Sequence, residues 1–284
     1  MKIIVLGSGT SHGIPVVGCS CPVCTSKDSR DKRMRSSIYV ESSGVGGAES
    51  RVSTALIDAG PEFRLQALRA GIKRLDAIFL THAHADHVHG LDDVRSLTWD
   101  NPLSVYGNES TIAEMKERFS YIWKETQKGG GKPKLTPVAV NGPVQIGSLS
   151  FTPVPVKHGV LDILGWEIRE AQKASGRSFL YLTDTSSVPA SSLAMLKESP
   201  YARTIIIDGL RVEPHETHFT FEEAMNAAIG LGAEEIFLTH ICHSHSHVEI
   251  GEICRKFMEN RRLSAPDSRE VEIHPAYDGL ELIL

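Results

Sequence analysis

No apolar run in this chain reaches the roughly 20 residues that a membrane-spanning helix requires, so a membrane partner is not expected. A basic surplus is also missing. Thirty Lys and Arg face 35 Asp and Glu, for a net charge of −5, whereas gripping a phosphate backbone demands clustered cations. Nucleic acid is therefore disfavoured as a partner, although a small pocket for an anion is not. Low-complexity tracts, solenoid-length repeats and clear linkers are all lacking. The expectation is one domain over residues 1–284, a length that α/β folds often fill as a single unit. The opening Met-Lys-Ile-Ile-Val-Leu-Gly-Ser-Gly has too short an apolar core for a signal peptide and reads as a first strand, which makes the cytoplasm the expected compartment. Cysteine is scarce at five residues, and three of them crowd into Cys19-Ser-Cys21-Pro-Val-Cys24.

What is present centres on Thr81-His82-Ala83-His84-Ala85-Asp86-His87, with Gly90 three residues beyond. The stretch follows Asp76-Ala-Ile-Phe-Leu, a short apolar run bounded by turn formers that reads as a buried strand. Neutral imidazoles beside a hard carboxylate suit Zn²⁺, Mn²⁺ or Fe²⁺. Other metal-type residues recur in the same context, each just after a strand. His158 follows Thr152-Pro-Val-Pro-Val-Lys, Asp184 follows Phe179-Leu-Tyr-Leu-Thr, and His240 follows Glu235-Ile-Phe-Leu-Thr. Each alone reads equally well as a cap or a surface residue. Strand ends on one sheet edge converge on a crevice, however, and together these side chains number enough for two metals.

The cysteine cluster reads as a metal knuckle, because Cys19 and Cys21 are too close to bridge without strain and a cytosolic chain seldom keeps disulfides. A tetrahedral zinc would need a fourth ligand from elsewhere. A redox pair at Cys21 and Cys24 is the competing reading. Cys242 and Cys254 read as core thiols, and the basic run Lys27–Arg35 as a solvated loop that could rim a site. His12 in the Gly7–Gly13 turn either faces the site or caps the turn, and Tyr277-Asp278-Gly279 reads as structural.

The spacing of these motifs resembles the metallo-β-lactamase superfamily, with Asp58 in Leu-Ile-Asp-Ala-Gly as the first motif and His82–His87 as the second. His158, Asp184 and His240 match the third, fourth and fifth. The resemblance implies an αββα sandwich, two mixed sheets with helices on the outer faces. It implies one metal held by His82, His84 and His158, and a second held by Asp86, His87 and His240, with Asp184 bridging. Asp58 would orient ligands without binding metal itself. His87 directly after Asp86 differs from the zinc β-lactamases. His84 stands where the flavo-diiron proteins carry glutamate, and the glyoxalase-type thioesterases fit the later motifs less well.

The nearer resemblance is to the phosphodiesterase branch, which contains ribonuclease Z and the PhnP-like (phosphoribosyl cyclic phosphodiesterase-like) proteins. Its extra catalytic histidine would be His218 in His215-Glu-Thr-His218-Phe-Thr-Phe-Glu, with His215 the rival. Gly13-Ile-Pro15-Val-Val-Gly18-Cys19-Ser-Cys21-Pro-Val-Cys24 is similar to the PhnP-like opening, whose cysteines share a structural zinc with a histidine three residues after the fifth motif. That position is His243, with His245 and His247 as close rivals. The long basic arm of bacterial ribonuclease Z has no room between Gly159 and Thr183.

The resemblance thus implies a di-metal hydrolase that attacks a small phosphodiester, cyclic or linear, with a metal-bridging hydroxide. Its cofactors would be two Mn or Zn ions and one structural Zn. His218, Asp86 and Asp58 would form its catalytic machinery. Arg95 either binds a substrate phosphate or pairs with Asp92 or Asp93 on a helix surface. The partner would be a small-molecule phosphodiester, and a homodimer fits because relatives often dimerise. The alternatives are a thioester or lactone hydrolase, a ribonuclease Z-like nuclease, and a non-catalytic carrier resembling pyrroloquinoline quinone biosynthesis protein B.

Overall fold

The computed structural model describes residues 1–43, 52–125, 131–171, 177–198, 201–264 and 271–284. Two seven-stranded sheets lie face to face. The first contains β1 (Lys2–Gly7), β2 (Ser37–Glu41), β3 (Thr54–Ile57), β4 (Ala77–Phe79), β5 (Leu103–Gly107) and β6 (Leu135–Ala139). The second contains β7 (Val144–Ile146), β8 (Leu149–His158), β9 (Leu161–Glu170), β10 (Arg177–Leu182), β11 (Ala202–Asp208), β12 (Ala233–Thr239) and β13 (Glu272–Pro275). The last strand, β14 (Glu281–Ile283), returns to pair antiparallel with β1.

Side-chain alternation along the strands sorts the residues into three apolar layers. Ile3, Val5, Ile57 and Phe79 of the first sheet meet Phe151, Trp166, Tyr181 and Ile206 of the second between the sheets. Ile205 and Ile207 point the other way, onto the layer of α4 (Ala190–Glu198), α5 (Phe221–Gly230) and α6 (His247–Ser264), where Leu196, Met225, Ile250 and Cys254 are buried. Leu6, Leu56 and Ile78 face outward from the first sheet onto Phe63 of α1 (Phe63–Ala70) and Met115 of α3 (Glu109–Arg118). Strands β11 and β12 are apolar on both faces because both faces are covered, as strands of a doubly covered parallel sheet must be. The αββα sandwich expected from the motifs is the architecture observed.

Helix α3 stops at Arg118, short of the amphipathic stretch Ser110–Lys124 that reads as one helix in the sequence, because Phe119 leaves helical geometry and a 3₁₀ turn over Ser120–Ile122 follows. There the Trp123 indole donates to the Leu135 carbonyl at 3.1 Å. Gly129-Gly-Gly-Lys-Pro, which reads as a loop, falls partly outside the described residues. Strand β6 contains Pro137, a residue that argues against a central strand; it lies at the sheet edge, where proline is tolerated.

Asp278 deserves its structural reading. It is buried, and accepts from the Ser8 amide (2.9 Å), the Ser8 hydroxyl (2.9 Å) and the Met34 amide (2.8 Å), tying the last loop to the end of β1. Burial pushes its carboxyl up to about 6 from the ordinary 3.8, against the opposing pull of those donors and Arg69. The folded state therefore holds a proton that the unfolded state releases near pH 4. Stability falls as pH rises from about 4 to about 6, by up to about 3 kcal/mol, and this contribution is level above that. Asp278→Asn should remove this slope. The measurement is urea unfolding of both metal-free proteins at pH steps from 4 to 7. A stability difference that stays constant across that range would rule the effect out.

Candidate metal centre

Strands β3, β4 and β5 run parallel, as do β10, β11 and β12, so their C-terminal ends share one edge of the sandwich. That edge carries Asp58 after β3, His82 beyond β4, His158 ending β8, Asp184 beyond β10, Asp208 ending β11 and His240 after β12. The sheets are joined there: the Leu164 amide donates to the Thr81 carbonyl at 3.0 Å, and the Trp166 indole to the Leu80 carbonyl at 3.3 Å. Helix α2 (Ala85–Val88) is a single turn that lifts Asp86 and His87 into the same space. Gly60 and Gly90 let this turn seat closely. A Cβ on Gly60 would lie 2.2 Å from the Asp86 carbonyl, and one on Gly90 2.1 Å from the Gly60 carbonyl.

The donor atoms of His82, His84 and His158 lie within 4.8 Å of one another, and so do those of Asp86, His87, Asp184 and His240. Asp184 spans the two sets. Its carboxylate oxygens lie 3.8 Å from His82 Nε2, 3.1 Å from His87 Nε2 and 3.2 Å from His240 Nε2. The Nε2 atoms of His82, His87 and His240 are buried without a hydrogen-bond partner, and a buried polar atom left so carries a penalty that a bound cation removes. These donor sets fit divalent ions. Burial disfavours charge on Asp184, but the His240, His87 and His82 imidazoles outweigh it and hold the carboxyl well below the usual range. Burial pushes His82 downward. Ionised carboxylate and neutral imidazole are the forms that bind metal.

A supporting layer fixes the rings. Asp58 is fully buried; it accepts from His87 Nδ1 at 2.7 Å, from the Thr81 amide at 2.9 Å and from the Thr81 hydroxyl at 2.8 Å. Thr81 Oγ1 in turn lies 3.0 Å from His82 Nδ1. His158 Nδ1 lies 2.7 Å from the Thr217 carbonyl, leaving Nε2 for the centre. Asp58, Asp184 and His240 adopt left-handed backbone, with φ of 62°, 53° and 57°. Non-glycine residues rarely take this conformation, and such strain persists where the surroundings over-determine it, as at ligand-holding sites.

His218 stands inside this constellation. Its ring stacks on His240 at 4.6 Å between centroids and lies 4.7 Å from that of His158. Its Nδ1 is 2.7 Å from Oδ2 of fully buried Asp208, which leaves Nε2 free. His215, the rival position, is exposed and receives the Thr217 amide on Nδ1 at 3.3 Å. Thr220 closes a capping box with Glu223 and starts α5 directly after His218. Sequence reasoning missed Asp208. The signal was available, since Thr204-Ile-Ile-Ile-Asp208 repeats the strand-then-ligand pattern.

Away from this edge, Cys19, Cys21 and Cys24 surround His243, whose Nδ1 lies 3.4, 3.5 and 3.4 Å from the three sulfurs. Three thiols and one imidazole, with no disulfide among them, fit one tetrahedral zinc. The Cys24 amide, the largest influence, lowers the Cys21 thiol to about 6, whereas burial raises Cys24 to about 11. Cys21→Ser, loaded in excess divalent metal, should retain one equivalent of zinc fewer than the wild type while the strand-end centre still fills. Metal analysis after gel filtration checks this, and an unchanged zinc count would contradict the assignment.

Two expectations are corrected. Arg95 does not reach the centre: it is exposed, Nη1 donates to the Gly131 carbonyl at 2.9 Å, and it lines a separate cavity of about 300 Å³ with Phe63, Leu68 and Trp99. The Arg95 amide donates to the Asp92 carbonyl at 3.2 Å, while the Asp92 carboxylate accepts from the Tyr121 hydroxyl at 2.5 Å. Arg95 sits in the short 3₁₀ turn Asp93–Thr98 and shares that cavity with Phe63 and Leu68 of α1. The run Lys27–Arg35 is not simply a solvated loop, because Arg33 within it is 1% exposed. His12 is exposed at its turn.

Residues 53–241 match the sequence profile of the beta-lactamase superfamily domain. The chain belongs to the metallo-β-lactamase superfamily. Within it, the PhnP-like branch is supported by the crystal structure of a diphosphatase from the PhnP family, 36% identical, with a TM-score of 0.79 over 99% of this chain and 96% of that one. Zn²⁺-bound PqqB from Methylobacterium extorquens shares the fold at 19% identity, with a TM-score of 0.75 over the whole of both chains. An octanoyltransferase of Porphyromonas gingivalis is 37% identical over 286 residues, covering all of this chain and 52% of that protein. The chain thus spans about half the length of that curated relative. A hydrolase of this superfamily binds divalent metal, and the described histidine and aspartate sets are where this member can do so. Among the described residues, no helix is long and apolar enough to cross a membrane.

Proposed function

We propose that this PhnP-like protein is a metal-dependent phosphodiesterase that hydrolyses a small phosphodiester, cyclic or linear. The observation that carries this reading is His218, held by Asp208 at 2.7 Å beside the His82–His84–His158 and Asp86–His87–Asp184–His240 donor sets, with Asp184 of the second set 3.8 Å from His82 of the first. Two divalent ions in those sets would acidify a water near neutral pH and supply positive charge to the non-bridging phosphoryl oxygens. The protein's own groups do the rest. Asp184 fixes the spacing of the two sets, and Asp58 orients His87 while holding Thr81 against His82. His218 presents Nε2 toward the substrate. Water adds to phosphorus, the P–O bond to the leaving alcohol breaks, and a proton from His218 meets the departing alkoxide. Burial pushes the His218 imidazole downward, opposed by the Asp184 and Asp86 carboxylates, while Asp208 orients the ring through Nδ1 at 2.7 Å.

The PhnP-family relative, a diphosphatase, also supports phosphorus–oxygen cleavage. Acyl chemistry is the second reading, raised by the octanoyltransferase name, which describes a protein about twice this length. The deciding experiment strips the protein of metal, reloads it with Mn²⁺ or Zn²⁺, and offers bis(p-nitrophenyl) phosphate, a cyclic ribose phosphodiester, a diphosphate ester, an acyl thioester and a lactone. Metal-dependent turnover of the diesters is the expected result. Turnover of the thioester or lactone alone would replace the proposal with acyl hydrolysis, and stoichiometric binding without turnover would replace it with a carrier role.

A further inference from the structure

The buried Arg33 lies between the cysteine cluster and the strand end that carries His240. Its backbone exchanges hydrogen bonds with Ile14 (2.8 and 2.9 Å), and Ile14 packs against Val23 and Cys24 in the small core under the knuckle. Its guanidinium reaches the other way. Nη1 donates to the Cys242 carbonyl at 2.6 Å, and Nη2 to the His245 carbonyl at 3.1 Å and to Asp31 Oδ1 at 3.3 Å. That same Asp31 oxygen accepts the His247 amide at 2.7 Å. Arg33 and Asp31 therefore hold residues 242, 245 and 247 at three points, and His243 of the cysteine cluster lies among them. Upstream, the Ile241 amide donates to the Ser8 carbonyl at 3.0 Å and the Ile241 carbonyl receives the Thr10 amide at 3.2 Å. His240, one residue earlier, is held at φ 57°.

We propose that Arg33, with Asp31, is a positioning pair that locks the 241–247 loop to the cysteine knuckle, and so sets the affinity of the Asp86–His87–Asp184–His240 set for its ion. The inference rests on the metal-centre reading above. Arg33 and Asp31 bond to no ligand of either set directly; they act on the loop that begins one residue after His240, whereas the His82–His84–His158 set draws on β4, α2 and β8. A strained ligand backbone needs restraint from outside itself, and the loop that follows His240 supplies it only while its carbonyls are gripped. Lysine cannot substitute. A guanidinium offers five donors in a rigid plane, enough for two carbonyls and a carboxylate at once, whereas an ammonium is a point charge on a flexible stem.

The test uses the full chain with Arg33→Lys and, separately, Asp31→Asn. Each protein is stripped by chelation, its cysteine site is refilled with one equivalent of Zn²⁺, and Mn²⁺ is titrated while paramagnetic resonance separates isolated from coupled ions. The expected result is a first Mn²⁺ affinity within about twofold of wild type and a second weakened by about tenfold or more, the range for outer-shell changes at metal sites. Isolated-ion signal should then persist beyond one equivalent. Unchanged second affinity, or equal weakening of both affinities, would overturn the proposal and leave Arg33 an ordinary core residue. Where Arg33→Lys fails to fold, Asp31→Asn decides by the same criteria. A wild type that never binds a second Mn²⁺ would instead overturn the metal-centre reading, and the proposal with it, independently of any hydrolysis assay.

Discussion

Asp184→Ala is expected to bind one divalent ion tightly at the strand-end centre instead of two, and to lose turnover by about 10³-fold or more. Asp184 reaches across the centre, 3.8 Å from His82 Nε2 on one side, and 3.1 and 3.2 Å from His87 and His240 on the other. Without its carboxylate, the two donor sets lose the group that reaches between them, and Asp86 alone must balance a buried cation among His87 and His240. The His82–His84–His158 set keeps its three imidazoles and should keep an ion. Asp184→Asn separates charge from shape, since it preserves volume and one oxygen; it should recover part of the second-ion affinity and little of the rate. Metal analysis at defined free metal, together with single-turnover rates on a phosphodiester, reads both effects. Full occupancy by two ions in Asp184→Ala would show that the carboxylate bridges nothing.

The sequence exposed this centre because each ligand follows a short apolar run that could only be a covered strand. Phe179-Leu-Tyr-Leu and Ile236-Phe-Leu are buried on both faces in the fold, and the polar residues directly after them mark where the sheet ends. Parallel neighbours then bring such ends together. What stayed hidden are the residues whose meaning depends on a partner far along the chain or on the direction of a side chain. Asp208 is one more strand end until His218 is seen folding back onto it, across a loop whose path nothing local dictates. Arg33 sits in a run of charges that, by composition, belongs in solvent. The two carbonyls more than 200 residues away, at Cys242 and His245, together with the buried carboxylate of Asp31, account for its burial. Arg95 erred in the opposite sense. A basic residue close after the histidine stretch invited a substrate role, but a 3₁₀ turn rotates successive side chains by about a third of a circle, and its guanidinium leaves the centre for Gly131.

His218→Ala should lower kcat by roughly 10²- to 10⁴-fold, the usual contribution of a positioned acid or base, while leaving metal content intact. The second half of that statement matters because His218 also lies within 4.8 Å of His158 and Asp184 donor atoms, a grouping that could itself hold an ion. A ligand lost would show as missing metal; a proton donor lost would not. Leaving-group dependence supplies the sharper test. A p-nitrophenolate departs readily without a proton, whereas an alkoxide does not, so the loss in His218→Ala should be small for bis(p-nitrophenyl) phosphate and large for an alkyl or cyclic ribose diester. Asp208→Asn should move the same way by a smaller factor. It alters the buried partner that orients the ring through Nδ1 at 2.7 Å, while the ring keeps its stacking surface on His240, 4.6 Å away between centroids. Equal losses on both leaving groups, with metal intact, would assign His218 to holding the phosphoryl group instead of protonating the alcohol.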